Sequence, residues 1–172
     1  MKSLGRCVRT GVVPSTEEYK MSTKHLVYAL SLSLGAVSTQ LAHAQAKPEV
    51  LVKQRQAVMT LQGKYFGPLG GMAQGRVPFN VQTVQRNAGF LDNLTRMSWD
   101  GFDASTRGVK SRALPGVFDD SAKFKQYASR LENEAAKLVT VSKSGDESAI
   151  KAQIGAVGKV CGGCHDDFRE KQ

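Results

Sequence analysis

The sequence predicts an all-α fold, an antiparallel four-helix bundle formed by residues 45–172. Apolar side chains recur every three or four residues in four separate stretches, the spacing that places them on one face of a helix. No stretch shows the alternation of apolar and polar residues that is typical of a strand. One long connection lies between the second and third stretches and short ones lie outside it, which indicates that sequential helices are antiparallel neighbours.

The first two helices are predicted from their start and stop signals. Pro48 suits the first turn of a helix, and Gly70, Gly71 and Gly75 are expected to end it. Asn80 is a favourable N-cap for the second helix, because its side-chain oxygen can accept a hydrogen bond from a backbone N–H of the first turn. The predicted inward positions are Leu51, Val58, Leu61 and Tyr65 in the first helix and Val84, Ala88, Leu91 and Leu94 in the second.

The third helix is predicted to follow a long connection, residues 98–117, in which helical periodicity is lost. Trp99 and Phe102 are its expected apolar anchors. Asp119 or Asp120 is expected to cap the third helix. Its predicted inward positions are Phe124, Tyr127, Leu131, Leu138 and Val139.

The fourth helix is predicted to begin at Asp146, after Gly145 has ended the third. Its apolar positions are spaced by four, three, four, three and four residues, which makes one continuous inward seam. Those positions are Ile150, Ile154, Val157, Cys161, Cys164 and Phe168.

The N-terminal 44 residues are predicted to be a leader that is absent from the mature protein. Residues 21–44 have a short basic start, an apolar run and a small-x-small cleavage site, the features of a secretory signal peptide. The apolar run is about a dozen residues, whereas a membrane-spanning helix needs about 20. Residues 1–20 precede a normal signal-peptide start, so they are interpreted as an extension from a mis-assigned start codon. Gln45 is then the first mature residue, and export to the periplasm is expected.

The motif Cys161-Gly162-Gly163-Cys164-His165 is the attachment pattern for c-type haem. On a helix the two thiols share a face and can add to the two vinyl groups of one porphyrin, and the adjacent imidazole can bind the iron. A structural zinc site needs four ligands, and Cys161, Cys164 and His165 are the only Cys and His residues after position 44. A thioredoxin-type pair needs a βαβ setting, which is not predicted. The motif therefore predicts one covalent haem c in the core, with His165 as the metal ligand.

The charge of the chain does not indicate nucleic-acid binding. The net charge is +9, of which the leader carries +3, so residues 45–172 keep +6. The basic residues are scattered and form no patch interleaved with aromatic side chains. We interpret this charge as favouring solubility, with steering of an acidic redox partner as a further role.

Residues 45–172 resemble the cytochrome c′ family, class II c-type cytochromes, over essentially the whole domain. The loop 104–117 matches poorly, and the C-terminal block 157–169, which contains the CxxCH motif, is the most specific part. The other matching segments are Lys47-Pro48-Glu49, Arg55-Gln56, Phe66-Gly67-Pro68, Pro78-Phe79, Trp99 with Phe102, and Ser144-Gly145-Asp146.

The resemblance implies roles for residues outside the motif. Arg55 and Gln56 lie where the family contacts the haem propionates; the alternative for Arg55 is an ordinary solvated helix residue. Arg169 is expected over the proximal side of the haem, and Trp99 either near the haem edge or as a plain core residue. The resemblance also implies a homodimer formed through the first two helices.

Whether the iron has a sixth ligand depends on whether Met59 binds it. The resemblance places it on the distal side of the haem, where cytochromes c′ hold an apolar side chain that crowds the iron without binding it. In low-spin relatives similar to cytochrome c-556, a methionine there is the ligand. We favour packing, because methionine is adaptable core filler at least as often as a ligand.

That choice predicts five-coordinate, high-spin iron that binds NO or CO and transfers single electrons. The alternative is a low-spin electron carrier with Met59 as sixth ligand. An enzyme is not expected, since residues 45–172 offer no second histidine and no thiol outside the CxxCH motif.

Overall fold

The computed structural model describes residues 46–171, which form four long helices and one short one. They are α1 (Pro48–Ala73), α2 (Val81–Met97), the short α3 (Gly116–Asp119), α4 (Ser121–Ser142) and α5 (Glu147–Phe168). The predicted leader, residues 1–44, and Gln45 lie outside the described residues. Among residues 46–171, no helix is long and apolar enough to cross a membrane.

The predicted helix starts are confirmed by hydrogen bonds at the caps. Asn80 Oδ1 accepts from the Thr83 N–H at 2.7 Å and Asp120 Oδ1 from the Lys123 N–H at 3.2 Å. At the start of α5, Asp146 Oδ1 accepts from two backbone N–H groups, those of residues 148 and 149. Each cap satisfies backbone donors that the helix itself leaves without partners.

The predicted end of the first helix is wrong at Gly70 and Gly71, which lie inside α1. The helix ends instead in a Schellman motif at Gly75, whose φ of +70° is costly for other residues. Its two closing bonds run from the Gly75 N–H to the Met72 carbonyl at 3.1 Å and from the Arg76 N–H to the Gly71 carbonyl at 2.9 Å.

The long helices pack in a ring, each against its two neighbours, in the order α1, α2, α4, α5 and back to α1. The four-helix bundle predicted from the sequence is therefore confirmed. We call its main core the aliphatic core; its central members are Leu69, Val84, Ala88, Leu91, Leu131, Leu138, Ile150, Ile154 and Val157.

The predicted inward stripe of α1 is wrong. Leu61 is 39 % exposed, and the buried positions include Val52, Arg55, Gln62 and Leu69. These positions follow helical spacing, but two of them are polar. The apolar pattern therefore pointed to a neighbouring stripe, because a search for apolar side chains cannot find an inward face that carries arginine and glutamine.

A second hydrophobic cluster forms where the middle connection meets α4 and the end of α5. We call it the aromatic cluster and define it as Trp99, Phe102, Phe124, Tyr127 and Phe168. Its closest rings, those of Phe102 and Phe124, are 4.8 Å apart between centroids. Trp99 and Phe102 are thus confirmed as anchors of the connection, which also contains two 3-10 turns and α3 that the sequence did not predict.

Candidate haem site

Cys161, Cys164 and His165 of the CxxCH motif lie near the C-terminal end of α5 and are all half-buried. Cys161 packs against the aliphatic core, and Cys164 packs against the aromatic cluster. The attachment points predicted from the sequence therefore lie at the boundary between the two hydrophobic clusters, on one helical face.

The surroundings of the motif shift the pKa values of its groups. Burial raises the pKa of the Cys161 thiol, and burial with the neighbouring Cys161 and Asp167 raises that of Cys164 to about 11. Burial, with further effects from the charges of Arg169 and Arg112, lowers the pKa of the His165 imidazole. Neutral imidazole is the form that binds iron, so this environment suits His165 as a ligand.

Gly163, between the two cysteines, allows Tyr127 of α4 to lie directly against the motif. A Cβ at position 163 would be 3.1 Å from the Tyr127 ring, tighter than an ordinary van der Waals contact. The Tyr127 hydroxyl donates to Asp167 at 3.0 Å, and the Lys123 ammonium lies 2.9 Å from the same carboxylate. Sequence analysis placed Tyr127 in the core but missed this contact, because only folding brings α4 onto α5.

Arg55 is buried, with an exposed fraction of 4 %, so the solvated alternative is excluded. Its guanidinium donates to the Gly101 carbonyl at 2.7 Å, to Thr106 Oγ1 at 2.9 Å and to Ser111 Oγ at 2.9 Å. All three acceptors are neutral, and within residues 46–171 no carboxylate forms a salt bridge with Arg55.

A buried cation without an anionic partner is costly. Two of the five guanidinium N–H groups are not used by these three bonds, so Arg55 can still receive a carboxylate. This arrangement fits a haem propionate, the partner that the sequence analysis assigned to Arg55.

The remaining predicted site residues differ in their exposure. Met59 is half-buried and lies on the inward face of α1, between Arg55 and Gln62. Gln56 is exposed on the neighbouring face of the same helix. Arg169 is exposed and follows α5, where its backbone forms an isolated bridge with Ala113.

Trp99 is half-buried and contacts both hydrophobic clusters. Its indole N–H donates to Glu132 Oε1 at 2.6 Å, which fixes the orientation of the ring. Ser98, beside it, accepts a hydrogen bond from Gln62 Nε2 at 2.5 Å. The buried Gln62 and its partner were missed by sequence analysis, because polar residues carry no core signal.

Comparison with known proteins gives one consistent result. A family model described as cytochrome C′ matches residues 50–169. Cytochrome c′ from Halomonas halodenitrificans is 37 % identical over 130 residues, which is 72 % of this chain and 98 % of the relative.

Solved structures of the same kind of protein are also similar. Cytochrome c prime from Shewanella frigidimarina has a TM-score of 0.71 at 29 % identity, covering 74 % of this chain and 99 % of that one. A ferrous variant of cytochrome c prime from Alcaligenes xylosoxidans with bound NO has a TM-score of 0.68 at 31 % identity, with coverage of 74 % and 99 %.

Proposed function

The chain belongs to the cytochrome c′ family of c-type haem proteins, which carry electrons or bind gases, and we propose that it is a periplasmic member with five-coordinate, high-spin iron. In this proposal it binds NO and CO and transfers single electrons, and it is not an enzyme. The observation that carries the proposal is that neither Met59 nor Gln62, on the inward face of α1, has a free hydrogen-bond donor, because both Nε2 hydrogens of Gln62 are engaged.

Covalently attached haem c, the cofactor of this family, supplies a redox-active iron that binds small diatomic ligands. In our proposal Cys161 and Cys164 would hold it through thioethers and His165 of α5 would bind its iron. Arg55 neutralises a propionate. Gln56, exposed one residue along, is the second propionate contact.

With the two unused N–H groups of Arg55 assigned to a propionate, the rest of the inward α1 face offers little to a bound ligand that needs a hydrogen bond. Both Nε2 hydrogens of Gln62 are engaged, by the Leu94 carbonyl at 3.1 Å and by Ser98 Oγ at 2.5 Å. Met59 has no hydrogen to donate. Bound O₂ gains from a distal donor, whereas NO and CO do not depend on one, so the site favours the latter two.

Arg169 is the cation assigned to the other side of the haem. It is exposed and lies four residues after His165, whose imidazole pKa is lowered first by burial and then by the charge of Arg169. We assign it the role of guiding NO when NO competes for the His165 side. The NO complex of the related Alcaligenes xylosoxidans variant supports a diatomic ligand for this fold.

The test is the absorption spectrum of the ferric and ferrous protein with and without NO. We expect a high-spin spectrum that changes on NO addition, and the same spin state in Met59→Leu. Met72→Leu is the matched control, since Met72 is buried in the aliphatic core of the same helix. A protein without haem bands contradicts the proposal outright.

The second candidate is a low-spin electron carrier, similar to cytochrome c-556, with Met59 as the sixth ligand. The inward position of Met59 favours it, because a half-buried thioether facing the bundle interior is a suitable soft ligand for haem iron. A low-spin spectrum that is indifferent to NO and becomes high-spin in Met59→Leu would establish this candidate in place of the first.

We also propose a homodimer formed through α1 and α2. Four of the five exposed large apolar residues within 46–171 lie on these two helices: Val50, Leu61, Phe90 and Met97. Phe90 is 44 % exposed and stacks on Tyr65 of α1 with centroids 4.7 Å apart.

Light scattering should show a dimer that Phe90→Glu converts to a monomer. Lys125→Glu, at an exposed position of α4, is the control and should stay dimeric, whereas a monomeric wild type contradicts the assignment.

A further inference from the structure

The Arg55 side chain forms three hydrogen bonds with the long connection between α2 and α4, residues 98–117. Its three acceptors, Gly101, Thr106 and Ser111, are spread over eleven residues of the connection. The centre of the guanidinium also lies 4.5 Å from the centroid of the Phe102 ring, within the range of a cation–π contact. A single side chain of α1 therefore contacts the connection at four residues, Gly101, Phe102, Thr106 and Ser111.

The approach of the connection to α1 is unusually close at Gly101. A Cβ at that position would be 2.6 Å from the Arg55 Cβ and 2.8 Å from the Leu51 carbonyl oxygen. Only glycine permits this contact without displacing the helix or the connection. The proximity gives the Gly101 carbonyl its short bond to the guanidinium.

Ser111 connects Arg55 to the backbone of Ala113. Its Oγ accepts one hydrogen bond from Arg55 and a second, at 3.3 Å, from the Ala113 N–H. Ala113 in turn forms an isolated bridge with Arg169. One hydroxyl thus links the guanidinium on α1 to the backbone that pairs with Arg169.

That bridge consists of two backbone hydrogen bonds between the connection and the end of α5. The Leu114 N–H donates to the Phe168 carbonyl at 3.0 Å, and the Glu170 N–H donates to the Arg112 carbonyl at 2.9 Å. The Arg112 guanidinium also donates to the Glu170 carbonyl, at 2.7 Å. The connection therefore spans from α1 to the backbone that follows His165.

We propose that Arg55 is a positioning residue which, through Ser111 and Ala113, fixes the backbone of Arg169 and Arg112 beside His165. Arg55 lies on the helix that carries Met59, yet its hydrogen bonds to the connection act on the opposite, His165 side of the site. The assignment of those two sides rests on the proposed function; the hydrogen-bond chain itself does not. Arg55 thus has two tasks: it neutralises a propionate and it orders the segment that pairs with the backbone following His165.

Hydrogen exchange of the haem-containing protein tests this directly. In Ser111→Ala, we expect the amides of Leu114 and Glu170 to exchange on the order of tenfold faster, although neither is bonded to Ser111. Ser111→Thr keeps a hydroxyl and should restore protection. Arg107→Ala is the control, because Arg107 lies in the same connection but its side chain contacts Asp119 at 2.6 Å and the Phe118 ring, and it is not hydrogen bonded to Arg55 or Ser111.

A spectroscopic readout separates positioning from general loosening. In the ferrous protein, the vibration of the iron–His165 bond should shift in Ser111→Ala, return in Ser111→Thr and stay unchanged in Arg107→Ala. Unchanged protection at Leu114 and Glu170 in Ser111→Ala would overturn the proposal. A low-spin, NO-indifferent spectrum would overturn only the proposed function, since the exchange result does not depend on spin state.

Arg55→Lys provides a second variant. A lysine keeps the positive charge but cannot hold three separated acceptors, so protection of both amides should fall as in Ser111→Ala while haem is retained. Full protection in Arg55→Lys would show that the charge alone suffices, and the positioning role would be excluded.

Discussion

The aliphatic core and the aromatic cluster of this bundle are built in different ways. The aliphatic core takes its side chains from regular positions along four helices, so each residue is buried because its helix is amphipathic. The aromatic cluster takes Trp99 and Phe102 from an irregular connection whose place depends on hydrogen bonds from Arg55. Stability in the aliphatic core therefore depends mainly on the volume of the buried side chains. Stability in the aromatic cluster depends on the relative orientation of the rings. The two regions should respond differently to substitution.

The largest effect on stability is expected from truncation in the aliphatic core. Leu138 is fully buried, and Leu138→Ala should lower the free energy of unfolding by about 2–5 kcal/mol through lost burial and the cavity left behind. Denaturant titration followed by circular dichroism measures this. The haem absorption spectrum should not change, because Leu138 is in the second half of α4 and the motif packs beside its first half. A spectral change in this variant would contradict the separation of the two regions.

A smaller loss of stability with a clear spectral effect is expected in the aromatic cluster. Phe124 is 5.3 Å from Phe168 and 5.8 Å from Trp99 between ring centroids, in edge-to-face contacts. Phe124→Leu keeps an apolar side chain but loses these contacts, which should cost about 1–2 kcal/mol. Because Cys164 packs against this cluster, the haem bands should shift. If Phe124→Leu left the spectrum unchanged and lost as much free energy of unfolding as Leu138→Ala, the two regions would be equivalent.

A loss of about 1 kcal/mol is expected at the far end of α5, where Asp146 caps the helix. Asp146→Ala removes the acceptor for two backbone N–H groups, whereas Asp146→Asn keeps an oxygen in the same place. Thermal unfolding should therefore separate the two variants. Since the cap lies at the other end of α5 from Cys161, neither should alter the spectrum.

The smallest effect concerns the exposed carboxylate of Asp167 beside the aromatic cluster. Hydrogen bonds from Lys123 and Tyr127 lower the pKa of this carboxyl group. Its contribution to stability is therefore present above the carboxyl pKa of the unfolded chain, about 4, and is lost as pH falls through the lower folded value. The melting temperatures of wild type and Asp167→Asn should differ slightly at pH 7 and converge below about pH 4. A difference that persists at the lowest pH would show that Asp167 acts through packing.

Sequence patterns predicted the elements well wherever burial and apolar character coincide. Three of the inward stripes, the caps Asn80 and Asp146, and the position of Cys161 and Cys164 on the seam of α5 all follow from local spacing. The failure at α1 has one cause: its inward face carries Arg55 and Gln62, whose burial is stabilised by partners 32 to 56 residues away. Those partners lie in other elements and have no fixed offset that a sequence pattern could reveal.

The sequence by itself determined the chemistry, because the spacing of two thiols and an imidazole within one helical turn is a local property of the chain. It also determined the helical class, since periodicity needs no knowledge of the neighbours. Only the tertiary structure decided that Arg55 is buried, that Tyr127 covers Gly163, and that the connection joins α1 to the residues after His165. These arrangements depend on which surfaces meet when the helices pack, and hydrogen-bond partners distant along the chain are specified only at that step.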